Sequence, residues 1–228
     1  LYFADFGMRR RFNAHSERVV IDYMKAHCPT FTGTSTVALA MEYGIRPIGT
    51  MAHECFMFQA AVHSPKEANY EVMERWVDVY DGNLGTVLTD TYTVDAFLRN
   101  FSMKLAKLYD GVRHDSGDPF AWGDRMIAHY EKYDADPRQK LLLFSDSLDF
   151  DKAQALYDYF KDRAKVSFGI GTYCSNDTCE TPLNIVIKLQ TVNGRAVAKL
   201  SDTPGKAMCR DMEYLEYLKR SVAFRLGR

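Results

Sequence analysis

Arg113-His114-Asp115-Ser116-Gly117-Asp118 sets a cation and two carboxylates directly after the short apolar pair Gly111-Val112. Carboxylates at a strand end accept hydrogen bonds from sugar hydroxyls, or hold Mg2+ together with a substrate's own phosphates. The ordinary alternative makes Asp118 a helix cap before Pro119 and Asp115 a turn residue, and the two readings are compatible. Gly49-Thr50-Met51-Ala52-His53-Glu54 puts a histidine at the start of a helix. A neutral imidazole there can attack phosphorus, and a polar capping histidine is the plainer alternative. Glu54 or another carboxylate could orient the ring, although adjacent helix residues do not face each other. In Phe168-Gly169-Ile170-Gly171-Thr172, small residues let backbone N–H groups approach a phosphate; a tight turn explains the same glycines. Ser145-Asp146-Ser147-Leu148-Asp149 repeats the strand-end logic, with Asp149 read as a cap and Asp146 as the site candidate. Phe6-Gly7-Met8-Arg9-Arg10-Arg11 joins an aromatic ring to cations that could sandwich a flat ligand, or forms a solvated basic loop. Lys188, Lys199 and Lys206 could meet phosphates or be surface lysines.

These groups need a scaffold that gathers them. Each follows a short apolar run: Phe3 to Phe6, Phe31-Thr32, Ile45 to Ile48, Val87-Leu88, Gly111-Val112, Leu141 to Phe144, and Val166 to Phe168. Most of these runs precede a stretch of helical period. That is a βα repeat of seven strands, and a barrel of parallel strands collects all the C-terminal ends on one face. Helices are expected from Asn13 or Ser16 to about Ala26 with Val19, Val20 and Tyr23 inward, from Thr36 to Tyr43 closed by Gly44, and from His53 to Val62. Others are expected after Pro65 to about Val79, from Val94 to Leu108, from Pro119 to Tyr133, and after Asp149. Tyr173 to Thr181 reads as a polar loop. Asn184 to Val192 and Arg195 to Leu200 read as a hairpin around Asn193-Gly194, and Gly205 onward as a terminal helix. The fold class is therefore α/β, an irregular or incomplete parallel barrel. Residues 1–228 read as one domain, with strands and helices over 1–172 and the loop, hairpin and helix over 173–228.

Composition narrows the function. The chain has 228 residues, 46% hydrophobic and 26% charged, with a formal net charge of -1. A sizeable core is available, and no basic field for nucleic acid exists. No apolar run approaches the roughly 20 residues that span a bilayer, and no signal peptide is apparent, so a cytoplasmic protein is expected. The five cysteines are dispersed and odd in number, which favours free thiols in a reducing compartment. Cys174 and Cys179 share a loop, but no second Cys or His pair at finger spacing supports zinc. Leu1-Tyr2-Phe3 enters a strand at once, which reads as the C-terminal part of a longer protein.

Taken in order, Asp5-Phe6-Gly7-x-Arg9-Arg10, Gly33-Thr34-Ser35, Gly49-Thr50-Met51-Ala52-His53-Glu54, Arg113 to Pro119, Phe144-Ser145-Asp146, Phe168 to Thr172 and Lys199-Leu200-Ser201-Asp202-x-x-Gly205-Lys206 closely resemble the nicotinate phosphoribosyltransferase family, over nearly the whole chain. The resemblance implies a type II phosphoribosyltransferase barrel. It would join nicotinate to phosphoribosyl pyrophosphate in NAD biosynthesis, coupled to ATP hydrolysis through a phosphohistidine with Mg2+. By the same resemblance His53 is the phosphorylated residue, and Phe6 and Arg9 flank the pyridine ring. Asp115 binds ribose hydroxyls, with Arg113 near the sugar and phosphates. Gly169, Gly171 and Thr172 hold the 5′-phosphate beside Asp146, while Lys188 and Lys199 face pyrophosphate or the phosphorylated histidine. Ser35 stands where the nicotinamide-using relative carries aspartate, and so favours a carboxylate substrate. Quinolinate transfer would not need the ATP-coupled His53, and a non-catalytic barrel would not need His53, Arg113 and Asp115 intact. The family's N-terminal domain is expected to be missing here, and a homodimer is expected.

Overall fold

The structure is a computed structural model that describes residues 1–178, 181–183, 185–203 and 207–223. Cys179, Asn184, Gly205 and Lys206, which entered the zinc, hairpin, helix and phosphate readings, lie outside the described residues. In chain order the elements are β1 (Phe3–Asp5), α1 (Ala14–His27), β2 (Phe31–Thr34), α2 (Val37–Tyr43), α3 (His53–Val62) and α4 (Ala68–Tyr80). There follow β3 (Thr86–Leu88), α5 (Val94–Asn100), α6 (Met103–Leu108), β4 (Gly111–His114), α7 (Pro119–Lys132) and β5 (Leu141–Phe144). The chain continues with α8 (Phe150–Phe160), β6 (Lys165–Ile170), α9 (Thr172–Ser175), β7 (Thr191–Val192), β8 (Arg195–Ala196) and α10 (Met212–Ala223). It divides into two compact units, Leu1–Gly49 with Pro137–Val186, and Thr50–Asp136 with Ile187–Arg228.

In the first unit four parallel strands lie in the order β2-β1-β6-β5, with Phe3 paired to Phe31 and Phe168, and Phe144 to Phe168. Both faces of such strands are covered, so their residues run apolar without alternation. Phe144 stacks on Phe160 and Phe168, and α8 buries Ala153, Leu156 and Phe160 completely. Asn13 caps α1 in a reciprocal box with Ser16. The expected inner stripe of α1 is corrected: Val19 and Tyr23 are exposed, and the buried residues are Glu17 and Ile21. A helical period does not say which face turns inward, and here a buried carboxylate takes the inner one. Gly44, in the left-handed region, closes α2 as expected. The strand expected at Ile45 to Ile48 is reduced to one parallel bridge between Thr34 and Pro47. Pro47 has no N–H to extend a ladder, so only Thr34 N–H to Arg46 O and Ile48 N–H to Thr34 O form. Gly33, at φ +144°, admits this approach: a Cβ there would meet the Arg46 carbonyl oxygen at 2.0 Å.

In the second unit β3 and β4 pair in parallel, with Leu88 opposite Arg113. Trp122, Met126 and Tyr130 bury one face of α7. The helix expected over Val94 to Leu108 is broken at Phe101-Ser102, because Ser102 caps α6 through Leu105 N–H. Phe101 turns inward at the break and stacks on His129 at 5.7 Å. Asn193 and Gly194 both take positive φ and turn the short β7–β8 hairpin. Helix α10 starts at Met212 rather than near Gly205, since Met208 is held in an antiparallel bridge to Lys199. The expected alternation of helices with parallel strands, then hairpin and helix, forms among the described residues with six such strands rather than seven, and Tyr173 to Ser175 of the expected polar loop belong to α9. Among the described residues no helix is long and apolar enough to cross a membrane.

Candidate functional site

The end of β4, the start of α3 and the segments flanking the β7–β8 hairpin bring five of the expected residues together in the second unit. His53 opens α3 and is buried. Its Nε2 lies 3.1 Å from Asp90 Oδ1 and 3.6 Å from Asp115 Oδ2. Its Nδ1 lies 3.5 Å from Lys188 Nζ, which also donates to Glu54 Oε1 at 3.0 Å. Lysine only donates, so Nδ1 accepts and the ring proton sits on Nε2, directed at Asp90. Lys199 Nζ lies 2.9 Å from Asp90 Oδ2 and 4.0 Å from Asp115 Oδ2. Arg113 donates through Nη2 to Asp115 Oδ1 at 2.8 Å and through Nη1 to Thr50 Oγ1 at 2.9 Å.

The electrostatics follow from burial. Desolvation pushes His53 below the ordinary imidazole range, and the Lys199 charge pushes the same way against the pull of Asp90. The ring is therefore neutral at pH 7, the state a nucleophile requires. Burial alone would raise Asp90, but the His53 hydrogen bond and the Lys199 charge outweigh it and hold the carboxyl well below its usual range. Burial likewise works to raise Glu54, and the Lys188 hydrogen bond overcomes it, so Glu54 titrates below its ordinary value.

Asp90 is the functional residue that sequence reasoning left without a role. It ends the run Thr86-Val87-Leu88-Thr89, in the same strand-end position as the other candidates, and that position was the signal available. It is fully buried and accepts from His53, Lys199 and Ser116 Oγ, the last at 2.7 Å. The orienting carboxylate of His53 is thus Asp90, while Glu54 serves Lys188. Two further contacts fix the frame: Trp122 Nε1 donates to Thr89 Oγ1, which donates to the Arg113 carbonyl. The Lys199 segment is pinned by Leu200 N–H to Thr91 O, by Asp202 N–H to Ser116 Oγ, and by Val94 N–H to the Asp202 carboxylate.

Phe6, Arg9, Ser35, Asp146, Gly169, Gly171 and Thr172 belong to the first unit. The Phe6 ring lies against Gly169, where a Cβ would meet its ring carbons at 2.6 to 2.8 Å. Gly169 thus makes room for an aromatic ring, a packing role beside the phosphate one expected. Gly171 precedes α9, and a Cβ there would come within 3.3 Å of the Phe6 carbonyl oxygen. Thr172 begins the single turn of α9. Arg9 is exposed and donates to the Ile185 carbonyl at 3.4 Å. Ser35 N–H donates to Asp5 O at 2.8 Å, and its hydroxyl takes no partner among the described residues. Asp146 is half-buried and accepts from Ser147 Oγ at 3.2 Å.

The model of the nicotinate phosphoribosyltransferase (NAPRTase) family matches residues 1–226. A nicotinate phosphoribosyltransferase of Neisseria meningitidis serogroup C is 51% identical over 219 residues, covering 95% of this chain and 54% of the relative. The relative of the same description from Acinetobacter baylyi is also 51% identical, over the same shares. The crystal structure of nicotinate phosphoribosyltransferase from Vibrio cholerae superposes with a TM-score of 0.94 at 46% identity, covering 100% of this chain and 56% of that one. That from Porphyromonas gingivalis gives 0.92 at 43% identity, covering 98% and 59%. The chain spans about half the length of the curated relatives it matches.

Proposed function

The chain belongs to the nicotinate phosphoribosyltransferase family, and from that premise we propose that it carries the ATP-coupled transfer site of such an enzyme. The observation that carries the reading is the buried His53, whose Nε2 lies 3.1 Å from Asp90 Oδ1 and whose Nδ1 lies 3.5 Å from Lys188 Nζ. Nδ1 attacks the γ-phosphorus of ATP and ADP leaves. Lys188 stands beside the incoming phosphoryl oxygens, and Asp90 stabilises the imidazolium character that develops. Water later takes the phosphoryl group as inorganic phosphate, which returns the neutral ring.

In the transfer itself nicotinate displaces pyrophosphate at the anomeric carbon of phosphoribosyl pyrophosphate. The state passed through has oxocarbenium character, so it asks for charge compensation at the leaving group and a fixed incoming nitrogen. Lys199 and Arg113 supply cations, and Asp115 accepts from ribose hydroxyls. Phe6 and Arg9 hold the pyridine ring while Ser35 donates to its carboxylate, and Gly169, Gly171 and Thr172 with Asp146 take the 5′-phosphate end. Asp90 is occupied by its three donors, whereas the Asp115 side chain is 20% exposed. Mg2+ fits as an ion held by Asp115 together with substrate phosphates, where it would neutralise pyrophosphate charge.

We read residues 1–228 as one domain, because the chain passes between its two units three times and neither is a continuous piece. The working form is a homodimer in the cytoplasm, consistent with free thiols at Cys28, Cys55, Cys174 and Cys209. The test is mass spectrometry of the protein carrying this chain after exposure to ATP and Mg2+. Acid-labile phosphate on His53, discharged by nicotinate and phosphoribosyl pyrophosphate, supports the mechanism. Product formation at the same rate without ATP, and an unmodified His53, would remove that residue from its role.

A further inference from the structure

Two buried carboxylates in the first unit do work that the transfer mechanism does not use. Asp5 and Glu17 are both 0% exposed. Asp5 Oδ1 accepts Gly7 N–H at 2.9 Å, and Oδ2 accepts Thr34 Oγ1 at 2.6 Å. Thr34 Oγ1 in turn accepts Thr36 N–H at 3.0 Å, and Thr36 Oγ1 donates to Glu17 Oε1 at 2.5 Å. Glu17 Oε2 accepts Arg11 Nη1 at 2.6 Å, and Arg11 N–H donates to the Gly7 carbonyl at 2.8 Å. The bonds close on themselves, running Asp5, Thr34, Thr36, Glu17, Arg11, Gly7 and back to Asp5.

The ring ties together the backbone on either side of the three residues read as nicotinate contacts. Phe6 and Arg9 sit on the loop whose two ends are held by Asp5 and Glu17. Ser35 sits between the two threonines whose hydroxyls reach those same carboxylates. Both threonine hydroxyls are committed and, among the described residues, the Ser35 hydroxyl is not, so among those residues the turn presents a single donor. Apolar residues would cover this part of the unit without desolvating two carboxylates, one of which burial raises to about 6. An arrangement this costly fixes geometry that apolar packing leaves loose.

We propose that Asp5 and Glu17 are positioning residues, which through Thr34 and Thr36 set the separation between the Phe6–Arg9 ring clamp and the Ser35 carboxylate reader. Discrimination between a pyridine carboxylate and a pyridine carboxamide is then a property of the ring of bonds as well as of Ser35. The inference rests on Phe6, Arg9 and Ser35 holding nicotinate, as proposed above.

The test compares Thr34→Val and Thr36→Val, which keep shape and break the ring on either side, with Thr34→Ser and Thr36→Ser, which keep the hydroxyl. KM for nicotinate and for phosphoribosyl pyrophosphate, kcat and the nicotinate-to-nicotinamide preference are measured for each in the full protein. Losing one positioned hydrogen bond to a charged group corresponds to about tenfold. The expected result is a rise of about tenfold in nicotinate KM and a similar fall in preference for both Val variants. KM for phosphoribosyl pyrophosphate should stay within about twofold, and the Ser variants should be restored. An unchanged phosphoribosyl pyrophosphate KM also shows that a variant is folded. Equal losses for both substrates, or nicotinate KM unmoved in either Val variant, would overturn the proposal. Ser35→Asp separates the two levels. If it raises nicotinate KM while the Val variants do not, only the ring proposal fails. If neither moves nicotinate KM, the reading of this subsite fails with it.

Discussion

Replacing Asp90 by Asn tests the proposed histidine chemistry at its most enclosed point. The substitution keeps shape and removes one negative charge from a side chain 1% exposed. Among the described residues three donors face it: His53 Nε2, Ser116 Oγ and Lys199 Nζ. An amide offers one acceptor oxygen and one donor group, so at least one N–H must confront another donor. Lys199, itself 9% exposed at the side chain, then keeps, among the described residues, only Asp115 at 4.0 Å as a carboxylate neighbour. Breaking a buried ion pair by removing one partner costs about 3 to 5 kcal/mol. Part of the charge remains compensated by Asp115, so the lower end, about 3 kcal/mol, is expected. That corresponds to a fall in Tm of roughly 6 to 12 °C if the transition is two-state. The chemical effect should be larger. Without Asp90 the Nε2–H tautomer and the imidazolium lose their partner, and the comparable substitution in serine protease triads lowers kcat about 10⁴-fold. Single-turnover rapid quench with γ-labelled ATP would follow phosphate on His53 directly. A fall of at least about 10²-fold is expected. Phosphorylation of His53 at the native rate in Asp90→Asn, in a protein shown to be folded, would refute the assignment of tautomer and partner.

Other outcomes follow from the same geometry. Ser35→Asp should lower kcat/KM for nicotinate by at least about tenfold through charge repulsion, measured by steady-state kinetics; an unchanged value would sink the role of Ser35. Gly169→Ala drives a methyl group into the Phe6 ring at 2.6 to 2.8 Å. It should destabilise by about 1 to 3 kcal/mol in denaturant unfolding and raise nicotinate KM. His53 has a depressed pKa in the folded state. The sign is that the unfolded chain takes up a proton near the ordinary imidazole pKa before the folded one does, so this residue's contribution to stability is present above that pH and declines as pH falls below it. The rate of phosphohistidine formation should accordingly hold between pH 7 and about 6.5. A rate that halves near pH 7 would show that His53 is not depressed. Lys188→Met should let Glu54 return toward its ordinary carboxyl pKa, visible by NMR titration, and should slow phosphorylation.

Much of this was readable before any coordinates, and the legible parts share a local cause. Asn13, Gly44, Asn193-Gly194 and Asp118-Pro119 each act on backbone within a few residues of themselves, so their caps and turns stand where expected. His53, Arg113 and Asp115 are legible as reactive types at element ends, whereas Lys188 and Lys199 are legible only as lysines of the expected hairpin arms, and their place near the histidine comes from the family resemblance. The parts that escaped depend on partners far along the chain. Glu17 looks like a solvent-facing helix residue until Thr36 and Arg11 are placed against it. Phe101 continues the helical stripe of Phe97 and Leu105 in sequence, yet stacking on His129 and capping by Ser102 end one helix and begin another. Asp90 carries no motif of its own. Its importance comes from His53, Ser116 and Lys199 converging on it from three separate segments.

The order of strands in the first unit has a consequence for synthesis. β1 is made well before β6, yet it lies between β2 and β6, and Phe3 must wait for Phe168 before its second edge is paired. Until then a short apolar strand presents open N–H and C=O groups to whatever else is nearby, the situation in which nascent chains aggregate. Arg9, Arg10 and Arg11 follow at once, and charge beside an open edge resists strand-to-strand association. Arg9, proposed above as a ring contact, and Arg11, bonded to Glu17, would then protect the growing chain before either takes up that place.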